Sequence, residues 1–438
     1  MHIDDVSFND ISIFHAEEKF SIFHKLNFTR TEGGKFWLKQ FFTTPFDDVQ
    51  KIKATQDIIK KLLPEAEEWP EEISNGTMMV MNKFLDYALD TIGDNPSSVD
   101  AFFYRIFHHV DYAMVKFSMK HFADFFRGLR KISEILSGLE LPANFKFYLE
   151  RIAYHLQIPA LAKLAQVKKD EPLPIHKNLY FAANVRGNYK RNIHELMDIY
   201  YKLDAWYSMA VAVKKFNLSF PEFIENPSPR VEAKGLYHLL LSEPVPYDLE
   251  MNQNHNFLFL TGANMAGKST LIKSVGGAVF LAHIGMGVPA SDMKLTKFDG
   301  LISNINVVDN IAKGESFFYN EVQRIKNTIE KISDGKKWLV LIDELFKGTN
   351  IQDAMKCSLS VIKGLIKVKT ALFILSTHLY EIGEELKDES NITFRHFETM
   401  VIDDMLSFSY QLKEGISKDR LGYFILKREK VVELLEKL

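Results

Sequence analysis

Apolar residues recur with two different rhythms along this chain. Over residues 1–225 they fall at helical spacing, with long amphipathic stretches at Val99 to Leu136 and Arg191 to Phe216 and no series of short strands. That half predicts an all-α domain. Its Phe-rich segment (Phe102, Phe103, Phe107, Phe117, Phe122, Phe125, Phe126) has helical spacing, which predicts core packing rather than base stacking. Beyond Glu225-Asn-Pro-Ser-Pro-Arg230, where two prolines resist helix, the texture changes. Short apolar runs ending at Thr261, Ile342 and Thr377 predict buried strands alternating with helices. Ile392 to Leu412 alternates around Asp403-Asp404 and predicts an antiparallel hairpin, and Lys427 to Leu438 predicts a short charged helix. The expected organisation is multidomain α + α/β, with a helical domain at 1–225 and a mixed sheet flanked by helices at 226–438.

The strand-ending positions carry chemistry. Thr261-Gly-Ala-Asn-Met-Ala-Gly-Lys-Ser-Thr270 satisfies G-x-x-x-x-G-K-[ST], the P-loop pattern, between a predicted strand and a predicted helix. Gly262 and Gly267 permit the tight turn that brings backbone N–H groups of Ala263, Asn264, Met265 and Ala266 toward phosphates at a helix N-terminus. Lys268 is expected to neutralise the β/γ-phosphates and Ser269 to hold Mg²⁺, with Thr270 beside it. These residues imply a nucleoside triphosphate, ATP, as ligand. Trp338-Leu-Val-Leu-Ile-Asp343-Glu344 is an apolar strand ending in two carboxylates, the Walker B pattern. Asp343 is expected at the metal and Glu344 at the attacking water. His378, at the end of the third strand, is placed to sense the γ-phosphate or orient that water.

Composition narrows the classes. The chain has 438 residues, 46% hydrophobic and 25% charged, enough for two or three domains with sizeable cores. A net charge of −3 gives no global attraction to nucleic acid, so DNA contact requires local patches such as Lys168, Lys169, Arg186, Lys190 and Arg191. The single cysteine, Cys357, excludes an intrachain disulfide and a cysteine metal cluster. With no signal-like N-terminus and no apolar run of membrane-spanning length, a cytoplasmic protein without a membrane partner is expected.

These motifs, taken together, resemble the MutS family of DNA mismatch repair ATPases. Thr261 to Thr270 looks like the family's TGPNMGGKST. Gly314-Glu-Ser-Phe-Phe-Tyr-Asn-Glu-Val322 is similar to its signature G-x-S-T-F-M-x-E-[ML]. Asp343-Glu-Leu-Phe-Lys-Gly-Thr-Asn350 resembles D-E-[IL]-G-R-G-T-[SN], and Ser376-Thr-His378 resembles A-T-H. Upstream, Leu26 to Gly34 with Phe36 to Phe41 and Pro45 resembles the start of the helical core and lever domain, and Tyr201 to Asp204 through Phe223-Ile224 resembles the lever's return. The resemblance implies a core/lever domain followed by an ABC-class P-loop domain. It also implies a homodimer through the ATPase domains, in which Ser316 caps the γ-phosphate across the interface and Asn264 bonds phosphate in its own subunit. Tyr410 falls where the family stacks adenine.

The lever-like pattern begins near residue 1, so the mismatch-reading and connector domains and the Phe-x-Glu wedge are not expected. DNA is the expected partner, but not through that wedge. Ala266 replaces a P-loop Gly, Phe346 the Gly after the Walker B acids and Lys347 the Arg; Leu239 replaces the Pro of a His-Pro motif. An ATPase in mismatch repair or recombination, switching its hold on DNA, is the leading expectation. A transporter or chromosome-type ABC ATPase requires a Leu-Ser-Gly-Gly-Gln signature, which is absent. A nucleotide-gated protein-docking scaffold without DNA affinity is the alternative.

Overall fold

The computed structural model describes residues 1–305, 317–402, 405–417 and 430–436. Two compact units result: Met1–Lys25, Pro45–Lys53 and Phe216–Leu438 form one, and Leu26–Thr44 with Ala54–Lys215 the other. Residues 1–25 and 45–53, expected with the helical half, therefore fold with the sheet. No helix among the described residues is long and apolar enough to cross a membrane.

In chain order the strands are β1 His2–Ile3, β2 Glu222–Phe223, β3 Val231–Leu236, β4 Tyr247–Met251, β5 Phe257–Thr261, β6 Asp292–Leu295, β7 Gly300–Asn304, β8 Trp338–Asp343, β9 Ala371–Ser376, β10 Ile392–Ile402 and β11 Met405–Glu414. A seven-stranded sheet has the order β1-β7-β8-β9-β5-β10-β11, and a four-stranded sheet the order β2-β6-β3-β4. All neighbours in the larger sheet run parallel except β10 and β11, the hairpin that alternation predicts. Strands β5, β7 and β9 are buried at every position, as expected where a parallel sheet is covered on both faces. Asp403 and Asp404 lie outside the described residues. Of the charged terminal segment, Val431–Glu436 is helical.

The N-terminal segment is fixed to this sheet by polar bonds as well as by β1. Buried Asp10 accepts from Ser303 Oγ at 2.9 Å and from the Ile305 N–H at 2.9 Å, and Ser7 Oγ accepts from the Ser303 N–H at 2.8 Å. A two-residue strand has no period of its own, so nothing in its pattern announces the pairing.

In the helical unit, the helix Lys190–Phe216 carries buried Asp204 against the start of the helix Glu32–Thr43. Asp204 accepts from the Arg30 and Thr31 N–H groups and, at 2.6 Å, from Thr31 Oγ1. A Cβ at Gly34 would lie 2.1 Å from Asp204 Oδ2, and one at Gly33 would lie 2.3 Å from the Tyr201 ring. The adjacent glycines are thus required by a close helix approach.

The stretch Val99 to Leu136 is two helices, Ser98–Phe107 and His109–Ile135, broken at His108. Phe122, Phe125 and Phe126 are fully buried, as expected of core. Phe102, Phe103, Phe107 and Phe117 are exposed, which corrects the reading of all seven as core. Helical periodicity identifies a stripe but not the side it faces; in Ser98–Phe107 it is Ala101 that points inward. Two cations of the suggested basic patch are engaged within the unit: Arg186 donates to the Tyr87 carbonyl, and Lys190 Nζ donates to the Leu85 carbonyl at 2.8 Å.

Candidate functional site

The carboxyl ends of β5, β8 and β9 bring the sequence motifs together. Strand β9 lies between β5, which leads into the glycine loop, and β8, which ends in Asp343. Ligand sites in open parallel sheets form in the crevice beyond such strand ends.

Gly262 (φ 137°) and Gly267 (φ 112°) both occupy backbone space that a side chain resists. At Gly262 a Cβ would also come within 3.1 Å of the Phe397 carbonyl oxygen. Gly267 is the N-cap of the helix Lys268–His283, whose first turn carries Ser269 and Thr270. Ala266 is buried and is not among the residues of positive φ, so the Gly-to-Ala departure costs no backbone strain. Met265 takes the left-handed position instead (φ 67°), with its side chain exposed, as Asn264 is. Ala263 is buried.

Lys268 Nζ folds back along the loop and donates to the Gly262 and Ala263 carbonyls, each at 2.9 Å. Burial lowers its pKa to about 8, with Glu344 and Asp343 opposing that shift. Ser269 Oγ donates to Asp343 Oδ2 at 2.5 Å, and Ser376 donates to the other carboxylate oxygen. Hydroxyl and carboxylate oxygens side by side at the N-terminus of the helix Lys268–His283 fit Mg²⁺, which takes few protein oxygens and completes its shell with water and ligand oxygens.

Glu344 (φ 65°) follows directly. Its Oε1 lies 2.5 Å from His378 Nε2, its Oε2 lies 3.3 Å from Lys347 Nζ, and its N–H donates to the Ser376 carbonyl at 2.9 Å. Burial works against the charged form, yet the His378 and Lys347 contacts hold the carboxyl below its ordinary range. Phe346, also at positive φ (59°), is buried and packs against Phe318 at 5.7 Å between ring centroids. Left-handed backbone at two non-glycine residues beside a carboxylate marks local strain.

Other groups complete the site. Buried Glu321, on the helix Phe317–Ile332, accepts from the Lys347 and Gly348 N–H groups at 3.1 and 3.2 Å and so fixes the loop after Glu344. Tyr410 is 41% exposed and lies beside the glycine loop: a Cβ on Gly267 would be 3.6 Å from its ring, 3.6 Å from Tyr247 Oη and 3.4 Å from the Phe397 ring. Tyr247 and Phe397 meet edge to face at 5.7 Å. Ser316 lies outside the described residues.

Sequence reasoning assigned no role to Ser376, Glu321, Tyr247 or Phe397. The first two sit inside motifs already singled out, where a serine at a strand end and an acid in a signature were available signals. Tyr247 and Phe397 reach the loop from β4 and β10, a proximity no local pattern encodes.

Residues 258–433 match the family described as MutS domain V. The chain is 27% identical over 240 residues to the DNA mismatch repair protein MutS of Petrotoga mobilis, covering 54% of this chain and 29% of that protein. It is 29% identical over 235 residues to the DNA mismatch repair protein spellchecker 1 of Drosophila melanogaster, covering 50% and 25%. A third relative is the DNA mismatch repair protein MutS of Lactococcus lactis subsp. cremoris, 28% identical over 232 residues, covering 52% and 27%. The chain thus spans less than a third of the length of each of these relatives.

Proposed function

This chain is MutS-like, carrying MutS domain V at residues 258–433, and from that premise we propose that it binds and hydrolyses ATP and uses the cycle to switch its hold on DNA. The observation that carries the reading is the meeting of Ser269 and Asp343 at 2.5 Å, directly beside Lys268 and Glu344. The relatives named for mismatch repair support the setting.

In this reading the P-loop N–H groups from Gly262 to Ser269 cradle the phosphates, and Lys268 leaves its two loop carbonyls to pair with the β/γ-phosphate oxygens. Ser269 and Asp343 would hold Mg²⁺, which when bound neutralises phosphate charge during transfer. Glu344 Oε1 accepts the proton of the attacking water, and His378 orients that carboxylate. Asn264 and Thr270 flank the phosphates, Tyr410 stacks on the adenine, and Ser316 of a second subunit caps the γ-phosphate, so closure is linked to a homodimer. The order of β5, β9 and β8 supports the ABC-type P-loop class.

A second reading, a nucleotide-gated docking scaffold without DNA affinity, is favoured by one observation: Arg186 and Lys190, two of the five cations of the suggested basic patch, donate to backbone carbonyls. Steady-state ATPase activity with duplex, mismatched and branched DNA at two salt concentrations, with Lys268→Ala as the blank, separates the two. Stimulation that weakens with salt supports the DNA switch. Hydrolysis dependent on Lys268 but indifferent to every DNA supports the scaffold, and no Lys268-dependent hydrolysis overturns the proposed reaction.

A further inference from the structure

The turn that carries Glu344 is held from outside its own strand. Phe318 and Glu321 stand three positions apart on the helix Phe317–Ile332 and so share one face. Both meet the loop between β8 and the helix Ile351–Leu365: Phe318 packs on Phe346, and Glu321 accepts from the Lys347 N–H at Oε1 and from the Gly348 N–H at Oε2. Glu321 is only 5% exposed, and burying a carboxylate is costly unless hydrogen bonds compensate it. Each of its oxygens is given to a different N–H of this one loop. The grip falls where the loop is strained, since Glu344 and Phe346 are both left-handed, a conformation that surroundings must enforce on a side chain. From the clamped Lys347 backbone, the Lys347 ammonium reaches Glu344 Oε2 at 3.3 Å. The helix itself is a firm mount. Arg324 donates from Nε to Asn304 Oδ1 at 3.1 Å and from Nη2 to the Ser303 carbonyl at 2.8 Å, and Lys331 pairs with Asp4 at 3.0 Å. Ile325 and Ile332 share one core with Leu345 and Phe346.

We propose that Glu321 and Phe346 are positioning residues for the hydrolytic step: they make the direction of the Glu344 carboxylate depend on the helix Phe317–Ile332. This inference rests on the ATPase reading above. Glu321 acts by way of Lys347, whose backbone it clamps and whose side chain holds Glu344. Phe346 acts by anchoring the backbone two residues beyond Glu344 in the core. A general base must keep its oxygen within hydrogen-bond reach of the water it activates, and a displacement of about 1 Å costs about 100-fold in rate. A glycine at 346 would relieve the left-handed strain but leave the loop without its apolar anchor. The phenylalanine thus trades backbone ease for a fixed turn. If these contacts served stability alone, their removal would lower the unfolding temperature and leave turnover by the folded protein unchanged.

Steady-state ATP hydrolysis, nucleotide affinity by fluorescence and amide hydrogen exchange of the loop, measured on the parent, Glu321→Ala, Glu321→Gln and Phe346→Gly, test this. Glu321→Ala is expected to lower kcat by about 10–100-fold with affinity for ATP within about twofold of the parent, and to speed exchange of the Lys347 and Gly348 amides. Glu321→Gln keeps one acceptor oxygen and should fall between the two. Phe346→Gly should lower kcat in the same direction, and with Glu321→Gln it carries the test should Glu321→Ala misfold. Adding Lys347→Ala to Glu321→Ala should cost less than the product of the single losses, because both act on one carboxylate. Glu330→Gln, an exposed change on the same helix, should match the parent. Parent-like kcat in Glu321→Ala and Phe346→Gly overturns the proposal and leaves the ATPase reading intact, as does a loss confined to ATP affinity. A parent without Lys268-dependent hydrolysis overturns that reading, and this inference with it.

Discussion

His378 Nε2 stands 2.5 Å from Glu344 Oε1, while Lys347 Nζ approaches the other oxygen at 3.3 Å, so one carboxylate is held from both sides. Its pKa is depressed by that grip in spite of burial. Lys347→Ala is expected to let the carboxyl pKa rise, moving the acid limb of the kcat/KM profile to higher pH. Glu344→Gln is expected to cut turnover by about 10²–10⁴-fold while nucleotide binding, read by fluorescence, persists. Parent-like hydrolysis by Glu344→Gln would remove Glu344 from its role.

Lys268 titrates near 8 when buried against the loop carbonyls, below the ordinary lysine value of 10.5. Phosphate oxygens favour its charged form, so ATP binding should take up a proton, increasingly as pH rises above about 8. Calorimetry at about pH 8.5 in buffers of different ionisation enthalpy measures that uptake. Identical heats across buffers count against the assignment.

Ser376 donates to one Asp343 oxygen while Ser269 donates to the other. Removing the outer donor with Ser376→Ala should raise the Mg²⁺ concentration for half-maximal activity by about 10-fold, the order seen for groups that orient metal ligands. Saturating Mg²⁺ should restore most of kcat. An unaltered Mg²⁺ titration would limit Ser376 to sheet packing.

His283, completely buried, donates from Nδ1 to the Val279 carbonyl at 2.7 Å and accepts at Nε2 from the Phe298 N–H at 2.9 Å. Both bonds suit the neutral ring, and burial lowers the pKa to about 4 from 6.5. The unfolded chain therefore binds protons first on acidification: this contribution is present above about pH 6.5 and is lost toward about pH 4, up to about 3 kcal/mol. Urea unfolding of the parent and His283→Gln across that range checks it, and parallel pH slopes would refute it.

The glycine loop and the Walker B acids were legible because each is a local string whose neighbours determine its geometry, and the resemblance rests on the same strings. Tyr410 was legible only through the resemblance; its proximity to Gly267 depends on β10 and β11 folding over the loop. Ser376 and Glu321 act on partners 33 and 26 residues away, distances at which spacing carries no geometric information. The Phe-rich segment misled for a different reason. Its two stripes share one period, and only the fold reveals that Phe122, Phe125 and Phe126 face inward while Phe103 and Phe107 face out.

The pairing of His2 with Gly300 has a temporal side. On a ribosome the helical unit, ending at Lys215, is available to collapse while β7 has yet to be made. The first 25 residues must wait through nearly three hundred codons before their strand partner emerges, and long-range closure of this kind is slow. The unit that holds the large sheet is thus the late-maturing part of the molecule, and the nascent segment 1–25, with Ile11, Ile13 and Ile22 not yet covered, is where a chaperone would be most needed.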